Sequence, residues 1–342
     1  MQGRHKLGWL HFFGVICFMS SINEFERIFA VVAPSFAAVD GVIRQRLEAQ
    51  LPLINDVVDY IVGGGGKRLR PLVCLLAARA CGYEGELHVE VAATVEILHT
   101  ATLLHDDVVD ASGLRRGRAT ANARWGNPAA VLIGDYLISR AFQMIVALGH
   151  RDVLEVMASS TCIISEGEVL QLVTQRDPHT TEERYMQVIH GKTAKMFEAA
   201  AEGGCVLGEH RYRQAMVLYA RHLGAAFQII DDVLDYTSSS GELGKNVGDD
   251  LAEGKPTLPL IQAMKVASPQ DAELIREAIR HGGLDHLSRI IDIVRACGAV
   301  DYAHQVAARE SQLAVAALAT VPASPYRQAM IDLAEMALRR AH

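Results

Sequence analysis

Apolar residues recur at intervals of three and four positions along most of the chain, beginning near Ala33. One such series comprises Val89, Ala92, Ala93, Ile97, Ala101 and Leu104. This spacing is the period of an α-helix that buries one face. Alanine and leucine are frequent in these segments, and no run of alternating β-branched residues indicates a strand. The pattern therefore predicts an all-α protein.

Segments rich in glycine and proline interrupt this pattern and divide it into about a dozen predicted helices. The interruptions lie at residues 63–66, 112–117, 127–128, 177–178, 203–204, 238–254, 282–283 and 322–325. No linker, low-complexity tract or change in composition separates one group of helices from another. We therefore predict a single helical domain over residues 26–342, with a mostly apolar interior.

Residues 1–25 are predicted to be an N-terminal extension of this domain. Arg4 and Lys6 precede an apolar run from Leu7 to Met19, which has the shape of a signal peptide. No A-x-A cleavage site follows the run, and it is too short to span a bilayer. We prefer to interpret the extension as disordered, or as a start assigned upstream of Met19, with a signal or anchor as the alternative.

The composition excludes several classes of protein. Hydrophobic residues make up 50% of the 342 positions, which is enough for a large core without disulfides or structural metals. With 33 basic and 40 acidic residues the net charge is −7, so no broad basic surface is available for nucleic acid. The six cysteines show no CxxC or other metal spacing, which indicates reduced thiols and a cytoplasmic location. An anionic ligand would need a local cluster of basic residues.

Two similar segments, HTATLLHDDVVD and GAAFQIIDDVLD, each place a DDxxD motif near the end of an apolar predicted helix. Residues four apart share one helical face, so Asp106 and Asp110 can direct both carboxylates to one point, as can Asp231 and Asp235. A solvated helix end is the alternative, but carboxylates at a helix C-terminus oppose the macrodipole. Carboxylate oxygens suit Mg²⁺, which also binds water and phosphate oxygens. The pair of motifs therefore predicts a magnesium site.

Basic residues near these motifs can bind the phosphate groups of a substrate. The segment GGGGKRLRP is not a Walker A loop, because Lys67 is followed by arginine and the glycine spacing differs. Lys67 and Arg70 can nevertheless donate to phosphate oxygens. A second basic cluster follows the first aspartate motif within one loop: Arg115, Arg116 and Arg118. Each cluster alone could be an ordinary charged loop, whereas both beside the aspartates predict a substrate that carries diphosphate.

In chain order, these segments resemble the trans-polyprenyl diphosphate synthase family, and within it the long-chain octaprenyl type of quinone biosynthesis. The matching segments are GGGGKRLRP, EILHTATLLHDDVVD, RRGRATAN, GDYLISRAFQM, EGEVLQL, GKTAKMFEAA, FQIIDDVLDY and LGKNVGDDLAEGKPTLPL. Residues 1–25 match nothing in the family. The resemblance implies one isoprenoid-synthase-type helical bundle around a central apolar cavity, and a homodimer.

The resemblance also implies a role for each matching residue. The catalytic residues would be Asp106, Asp110, Lys192 and Asp231. Three Mg²⁺ ions would be held by the metal set Asp106, Asp110, Asp231 and Asp235. The allylic diphosphate would meet Arg115, Lys192, Lys245 and Lys255, and isopentenyl diphosphate would meet Lys67, Arg70, His99 and Arg116. Thr193 and Gln228 would line the reacting centre, while Asp107, Asp232 and Asp235 would act mainly through water or neighbouring groups.

The implied reaction is head-to-tail condensation of isopentenyl diphosphate onto an allylic diphosphate such as farnesyl diphosphate. Mg²⁺ and the cations would stabilise the leaving diphosphate, so that the allylic C1–O bond ionises. Isopentenyl diphosphate would attack the carbocation through its double bond, and the departed diphosphate would take the proton. Because water would quench the cation, a closed apolar cavity is required. The lipid product implies transient membrane contact.

Small residues before the first motif bear on the length of the product. The tail of an allylic substrate held at Asp106 and Asp110 should run back along the helix past Ala101 and Thr102. Short-chain members of the family carry a bulky aromatic residue near this place, so Ala101 implies a deeper tunnel. Phe142 is the candidate floor of that tunnel, with ordinary core packing as the alternative.

Other functions fit parts of the sequence. A di-iron bundle needs two ExxH motifs, and Glu96–His99 supplies one. An EF-hand fails because residues 106–113 lack its ligand spacing, and terpene cyclases typically carry an NSE-type motif where this chain has DDVLD. A regulatory subunit without turnover is the non-enzymatic alternative. The acidic segment Asp249–Glu253 is predicted to be a loop that positions Lys245 and Lys255.

Overall fold

The computed structural model describes residues 25–237, 248–282 and 284–339, so Lys245 and residues 1–24 lie outside the described chain. The first helices are α1 (Ala33–Leu47), α2 (Pro52–Val62), α3 (Leu69–Ala80), α4 (Leu87–Val109), α5 (Ala121–Trp125), α6 (Asn127–Leu148), α7 (Arg151–Thr174) and α8 (Glu182–Ile189). They are followed by α9 (Lys195–Cys205), α10 (Arg213–Thr237), α11 (Asp249–Ala252), α12 (Leu258–Val266), α13 (Pro269–His281), α14 (Leu287–Ala296), α15 (Ala299–Ala317) and α16 (Pro325–Arg339). Short 3₁₀ turns lie at His210–Tyr212 and Leu318–Thr320, and a π-helical turn lies at His190–Ala194.

A short β-hairpin corrects the prediction that the chain contains no strands. β1 (Leu114–Arg115) and β2 (Arg118–Ala119) pair antiparallel. Between them, Arg116 and Gly117 have φ angles of 54° and 71°, the positive values that a type I′ hairpin turn requires. Strands of two residues are too short to show an alternating pattern, so hydrophobic periodicity could not reveal them.

The predicted break at residues 203–204 lies slightly too early, because both glycines are in the last turn of α9, which ends at Cys205. A Cβ on Gly204 would collide with the carbonyl oxygen of Cys74 in α3, and one on Gly203 would lie 2.6 Å from the methyl carbon of Met157 in α7. These glycines let α9 approach two neighbouring helices closely and do not end it. The estimate of about a dozen helices was low, since α5 and α11 have only five and four residues.

The helices α4 and α10 each carry one aspartate motif and lie in the interior of the bundle. α4 packs against α1, α3, α6 and α9, while α10 packs against α9, α15 and α16. Because α9 contacts both of them, the two motif-bearing helices share one packed interior. The helical body predicted from the sequence therefore positions both motifs.

Two described helices, α4 and α6, are long and apolar enough to cross a membrane when judged by length and composition alone. In α4, 72% of the apolar window is buried inside the protein, which explains its hydropathy as that of a core helix. In α6 the buried share is 33%. Apolar residues of α6 therefore lie on the surface of the described chain.

Candidate active site

The first aspartate motif lies where α4 ends. Asp106 is in the last turn of α4, and Asp110 caps the helix, with its backbone N–H donating to the carbonyl oxygen of Asp106 over 2.8 Å. The second motif, residues 231–235, lies in the last turns of α10, which ends at Thr237. Both motifs thus occupy the C-terminal ends of apolar helices, as the sequence predicts.

Two lysines from other elements face the carboxylates of the first motif. The ammonium of Lys192, in the π-helical turn, lies 3.2 Å from Asp106 Oδ2. The ammonium of Lys255, which follows α11, lies 2.8 Å from Asp110 Oδ2. The four side chains are between 10% and 20% exposed, so water screens these charges weakly. The structure therefore gathers four residues that were predicted for the allylic diphosphate and its metal ions.

Each of these lysines also contacts a glutamate that the sequence analysis did not select. Lys192 Nζ lies 2.6 Å from Glu168 Oε2 in α7, and Lys255 contacts the carboxylate of Glu253. Burial raises the pKa of Glu168 to about 7, against the opposing effect of Lys192. Glu168 lies in the family-like segment EGEVLQL, but no spacing rule connects it with a lysine in another element.

The backbone around Lys192 departs from a regular helix. The π-helical turn His190–Ala194 lies between α8 and α9, and such turns are frequent at functional sites. It packs against α7 through two glycines, because a Cβ on Gly167 would lie 2.6 Å from the carbonyl carbon of Gly191. This contact between the two backbones places Lys192 beside α7.

A chain of hydrogen bonds holds the second motif within the core. Tyr185 OH donates to Asp232 Oδ2 over 2.6 Å, and Gln228 Nε2 donates to Asp232 Oδ1 over 2.7 Å. Thr193 Oγ1 donates to Gln228 Oε1 over 2.9 Å. Both oxygens of the buried Asp232 carboxylate are thus bonded, which fixes the Gln228 amide and the Thr193 hydroxyl. Thr193 and Gln228 lie together as expected, whereas Tyr185 was not selected from the sequence.

The other two aspartates of the second motif differ in their environments. Asp231 is partly exposed, whereas Asp235 is fully buried. The backbone N–H of Asp250 donates to Asp235 Oδ2 over 3.3 Å, which ties α10 to α11. The roles of Asp231 and Asp235 as metal ligands stay predictions.

A second group of cations lies beside α3 and α4. Arg70 Nη1 donates to His99 Nε2 over 3.0 Å, and Arg116 donates to the carbonyl oxygen of Gly65. Burial lowers the pKa of Arg70 to about 10. Burial and the charges of Arg70 and Arg116 also lower the pKa of His99 well below its usual value, so the imidazole is neutral. Because Nε2 accepts from an arginine, Nδ1 carries the proton.

This cation group is suited to an anion. The Nε atom of Arg70 is buried and has no hydrogen-bond partner within the described ranges. Burial, followed by the charge of Arg115, also lowers the pKa of Arg116. Crowded, partly desolvated cations with an unused donor favour a ligand such as diphosphate.

Lys67 and Arg115 are the remaining cations that the sequence predicts for the two diphosphates. Lys67 is exposed at the rim of a small cavity whose walls include Phe197 and Phe227. Arg115 binds Asp107 with two nitrogens, Nε at 2.9 Å and Nη2 at 2.7 Å from Oδ1. Burial raises the pKa of Asp107, an effect that Arg115 opposes. Arg115 therefore lies at the first motif, where the Asp107 carboxylate binds its guanidinium group.

The donors of the first motif fit Mg²⁺ by their chemistry. Asp106 and Asp110 offer carboxylate oxygens, the hard donors that Mg²⁺ prefers. Among the residues that the structure describes, no three His, Cys, Asp or Glu side chains form a group that could enclose a metal ion. Mg²⁺ typically takes one or two carboxylates and completes its shell with water and phosphate oxygens.

The partners of the ExxH residues argue against the di-iron alternative. Glu96 Oε1 accepts from Arg68 Nη1 over 2.5 Å, and His99 is held by Arg70. Both potential iron ligands therefore bind arginines, and the positive surroundings oppose a further cation.

The three residues assigned to product length lie in the bundle interior or at its edge. Ala101 is fully buried in α4. Thr102 Oγ1 donates to the carbonyl oxygen of His99 over 2.8 Å, and Phe142 of α6 is partly buried against the main core. Their roles in chain length stay predictions.

Comparison with known proteins finds one family and several relatives. The sequence model of the polyprenyl synthetase family matches residues 51–294. The chain is 52% identical over 322 residues to the all-trans-nonaprenyl-diphosphate synthase (geranyl-diphosphate specific) of Rhodobacter capsulatus, covering 94% of this chain and 99% of the relative. It is 51% identical over 321 residues to the octaprenyl diphosphate synthase of Escherichia coli, covering 92% and 98%. A solved structure of a polyprenyl synthase from Caulobacter crescentus, complexed with calcium and isoprenyl diphosphate, matches with a TM-score of 0.90 and 39% identity, covering 93% of this chain and 98% of that one.

Proposed function

The chain belongs to the polyprenyl synthetase family, and on this premise we propose that it is a long-chain trans-polyprenyl diphosphate synthase. The family and the all-α fold expected from the motifs are thereby confirmed. The enzyme joins isopentenyl diphosphate units head to tail onto an allylic diphosphate, giving an octaprenyl product for a quinone side chain. One observation carries the proposal: Asp106 and Asp110 each face a lysine, so carboxylates and cations for one diphosphate meet at one place.

The allylic diphosphate binds at the first motif. Three Mg²⁺ ions per active site would be held by Asp106, Asp110 and Asp231. When bound, these ions supply positive charge to the leaving diphosphate. Lys192 and Lys255 donate to the same diphosphate and share its charge as the C1–O bond ionises. Because both lysine side chains are about 80% buried, the stabilising effect of their charges is larger than it would be in water.

Isopentenyl diphosphate binds at the second cation group. Arg70 and Arg116 donate to its diphosphate directly, and the Nδ1–H of the neutral His99 adds a further donor. Lys67 approaches from the rim. The two groups separate the two substrates, because the first presents carboxylates that need a metal ion and the second presents an excess of cations.

The reacting carbons meet between the π-helical turn and α10. The Thr193 and Gln228 side chains are fixed there by Asp232. Phe227 precedes Gln228, and its ring lies 5.7 Å from the ring of Phe197. Aromatic faces attract a cation and exclude water that would quench it. The proton released after the attack goes to the departed diphosphate.

Exposed apolar residues on α6 and α7 support a homodimer. On α6, Leu132 and Val146 are 67% and 64% exposed. On α7, Val169, Leu172 and Val173 lie three and four positions apart and are between 57% and 68% exposed. The two helices follow each other in the chain and are in contact, and we call their exposed apolar residues the α6–α7 face. We assign the dimer interface to this α6–α7 face, since a second copy removes such a surface from water.

The free thiols and the lipid product bear on where in the cell the enzyme works. The five described cysteines are free thiols, in line with a reducing cytoplasm. Release of a long prenyl chain brings the enzyme into transient contact with a membrane.

Turnover by the purified chain tests this function. Incubation with farnesyl and isopentenyl diphosphates plus Mg²⁺ should yield long-chain prenyl diphosphates, and a chelator should stop the reaction. Asp106→Asn should abolish turnover while the helical melt is retained, and the exposed Asp56→Asn should match the wild type. No product from the pure chain would favour a regulatory subunit, whereas a hydrocarbon formed without isopentenyl diphosphate would favour a cyclase.

A further inference from the structure

Each lysine at the first motif lies between two carboxylates of different origin. Lys192 is 3.2 Å from Asp106 and 2.6 Å from Glu168. Lys255 is 2.8 Å from Asp110 and also contacts Glu253. The same arrangement therefore occurs twice, with one aspartate of the motif and one glutamate outside both motifs.

We propose that Glu168 and Glu253 are positioning residues that hold the two lysine ammonium groups toward the allylic diphosphate. This inference rests on the proposed function. A lysine side chain has four rotatable bonds, and fixing it costs about 2 kcal/mol of rotamer entropy. Aspartate oxygens that bind Mg²⁺ are weakened as acceptors for the lysines, whereas the two glutamates remain available.

The backbone fixes Glu168 relative to its lysine. Glu168 follows Gly167, whose Cα faces the π-helical turn so closely that a Cβ there would lie 2.8 Å from the backbone nitrogen of Lys192. The distance between the two backbones is thus set by direct contact, without an intervening side chain. Glu168 and Lys192 are 29% and 19% exposed, so their ion pair is shielded from water.

The C-terminal end of the same helix fixes Glu253. Gln175 Nε2 donates to the carbonyl oxygen of Glu253 over 2.7 Å. The backbone N–H of Arg176 donates to the carbonyl oxygen of Gly254 over 2.8 Å. Glu168 is itself part of helix α7. The two residues that follow α7 hold the backbone of Glu253 and Gly254, which precede Lys255. Helix α7 therefore helps to position both glutamates.

The direction in which one substitution changes the affinity for the allylic diphosphate separates positioning from a simple effect of charge. A glutamate that only adds negative charge repels the diphosphate, so neutralising it would strengthen binding. A glutamate that holds a lysine in place has the opposite effect, because its loss frees the lysine. Glu168→Asp keeps the charge and shortens the reach, so it weakens binding only if position matters.

Calorimetric binding of farnesyl diphosphate with Mg²⁺, in the absence of isopentenyl diphosphate, provides the test. Glu168→Gln, Glu168→Asp and Glu253→Gln should each raise Kd by about tenfold, the effect of one charged hydrogen bond. The KM of isopentenyl diphosphate should change by less than about twofold. Glu182→Gln is the matched control, since Glu182 pairs with Lys265 at 3.1 Å outside the cleft, and its Kd should equal the wild-type value.

Unchanged or tighter binding by Glu168→Gln and Glu253→Gln would overturn the proposal. If Glu168→Gln fails to fold, Glu168→Asp decides the matter, with weaker binding in favour and an unchanged Kd against. A wild-type chain that does not bind farnesyl diphosphate would instead refute the proposed function.

Discussion

The ionisable side chains of the cleft form two groups according to what they face. Lys192 and Lys255 face carboxylates, whereas Arg70 faces a neutral imidazole. Carboxylates outnumber lysines four to two in the first group, which suits a diphosphate that arrives with metal ions. The second group keeps an excess of positive charge, which suits a diphosphate without a metal ion. In the proposed mechanism this difference directs the two diphosphates to different places.

Substitution of Arg116 should separate the two substrates. Arg116→Ala should raise the KM of isopentenyl diphosphate by about tenfold or more, because a charged donor to its diphosphate is lost. The KM of farnesyl diphosphate should change by less than about twofold. Steady-state kinetics with each substrate varied in turn measure both values, and the exposed Arg211→Ala serves as control. Equal effects on both substrates would show that the two sites are wrongly divided.

His99 should make the free energy of unfolding depend on pH. The imidazole gains a proton near pH 6.5 in the unfolded chain but stays neutral in the folded one, where burial and Arg70 lower its pKa. Below about pH 6.5 the unfolded state therefore binds more protons, and stability falls by up to about 1.4 kcal/mol per pH unit.

This loss of stability can be measured by urea unfolding at about pH 7.5 and about pH 5.5. The wild type is compared with His99→Gln. The wild type should lose more stability on acidification than the variant, which lacks the titrating group. Equal losses in the two proteins would mean that His99 is protonated in the folded state.

The residues that could be predicted are those linked by local spacing. Asp106 and Asp110 are four positions apart on one helix, so the sequence alone indicates a shared site. Glu168 and Tyr185 act on residues in other elements. Only the packing of those elements brings the partners together, and a single sequence carries no record of it.

At the level of helices, the close contact between α7 and the π-helical turn deserves a direct test. Gly167→Ala should destabilise the protein by about 1–3 kcal/mol, because the added Cβ overlaps the backbone of Gly191. It should also weaken farnesyl diphosphate binding by displacing Lys192. Gly41→Ala is the control, since no atom lies within 4 Å of its Cβ position, and it should stabilise α1 by about 0.5–1 kcal/mol.

Denaturant melts and binding titrations of these two variants give the comparison. Gly167→Ala with wild-type stability and wild-type affinity would show that the two backbones are farther apart than the structure indicates.

Hydrophobic periodicity indicated the helices α4 and α10, which carry the two aspartate motifs. The glycines at 203–204 lie in the last turn of α9 and also admit close neighbours, so the predicted break falls slightly before the observed end of the helix at Cys205. The hairpin and the π-helical turn were also missed, since two or five residues do not establish a period. Such short irregular segments nevertheless carry Arg115, Lys192 and Thr193.

For the whole molecule, the α6–α7 face predicts the oligomeric state. Leu172→Asp should convert the dimer into a monomer, because a charge would be buried at the interface. Leu313→Asp is the control, since Leu313 is 42% exposed on α15, away from this face. Sedimentation velocity measures both. A dimeric Leu172→Asp variant would place the interface elsewhere.

The path of the growing chain links the first motif to the interior of the bundle. In the proposed mechanism the allylic diphosphate binds where α4 ends, and its tail would run back along α4 past the fully buried Ala101. A large aromatic side chain at this position can be accommodated only if a tunnel lies beside it, and it would then block that tunnel.

The most direct test of whether this protein elongates a prenyl chain inside its helical core is a comparison of product lengths. The wild type and Ala101→Tyr are assayed under the same conditions. Both proteins should show a normal helical melt and require Mg²⁺. The wild type should make octaprenyl-range diphosphates, and Ala101→Tyr should stop at farnesyl or geranylgeranyl diphosphate. The same length distribution from both proteins, or no long product from the wild type, would contradict this mechanism.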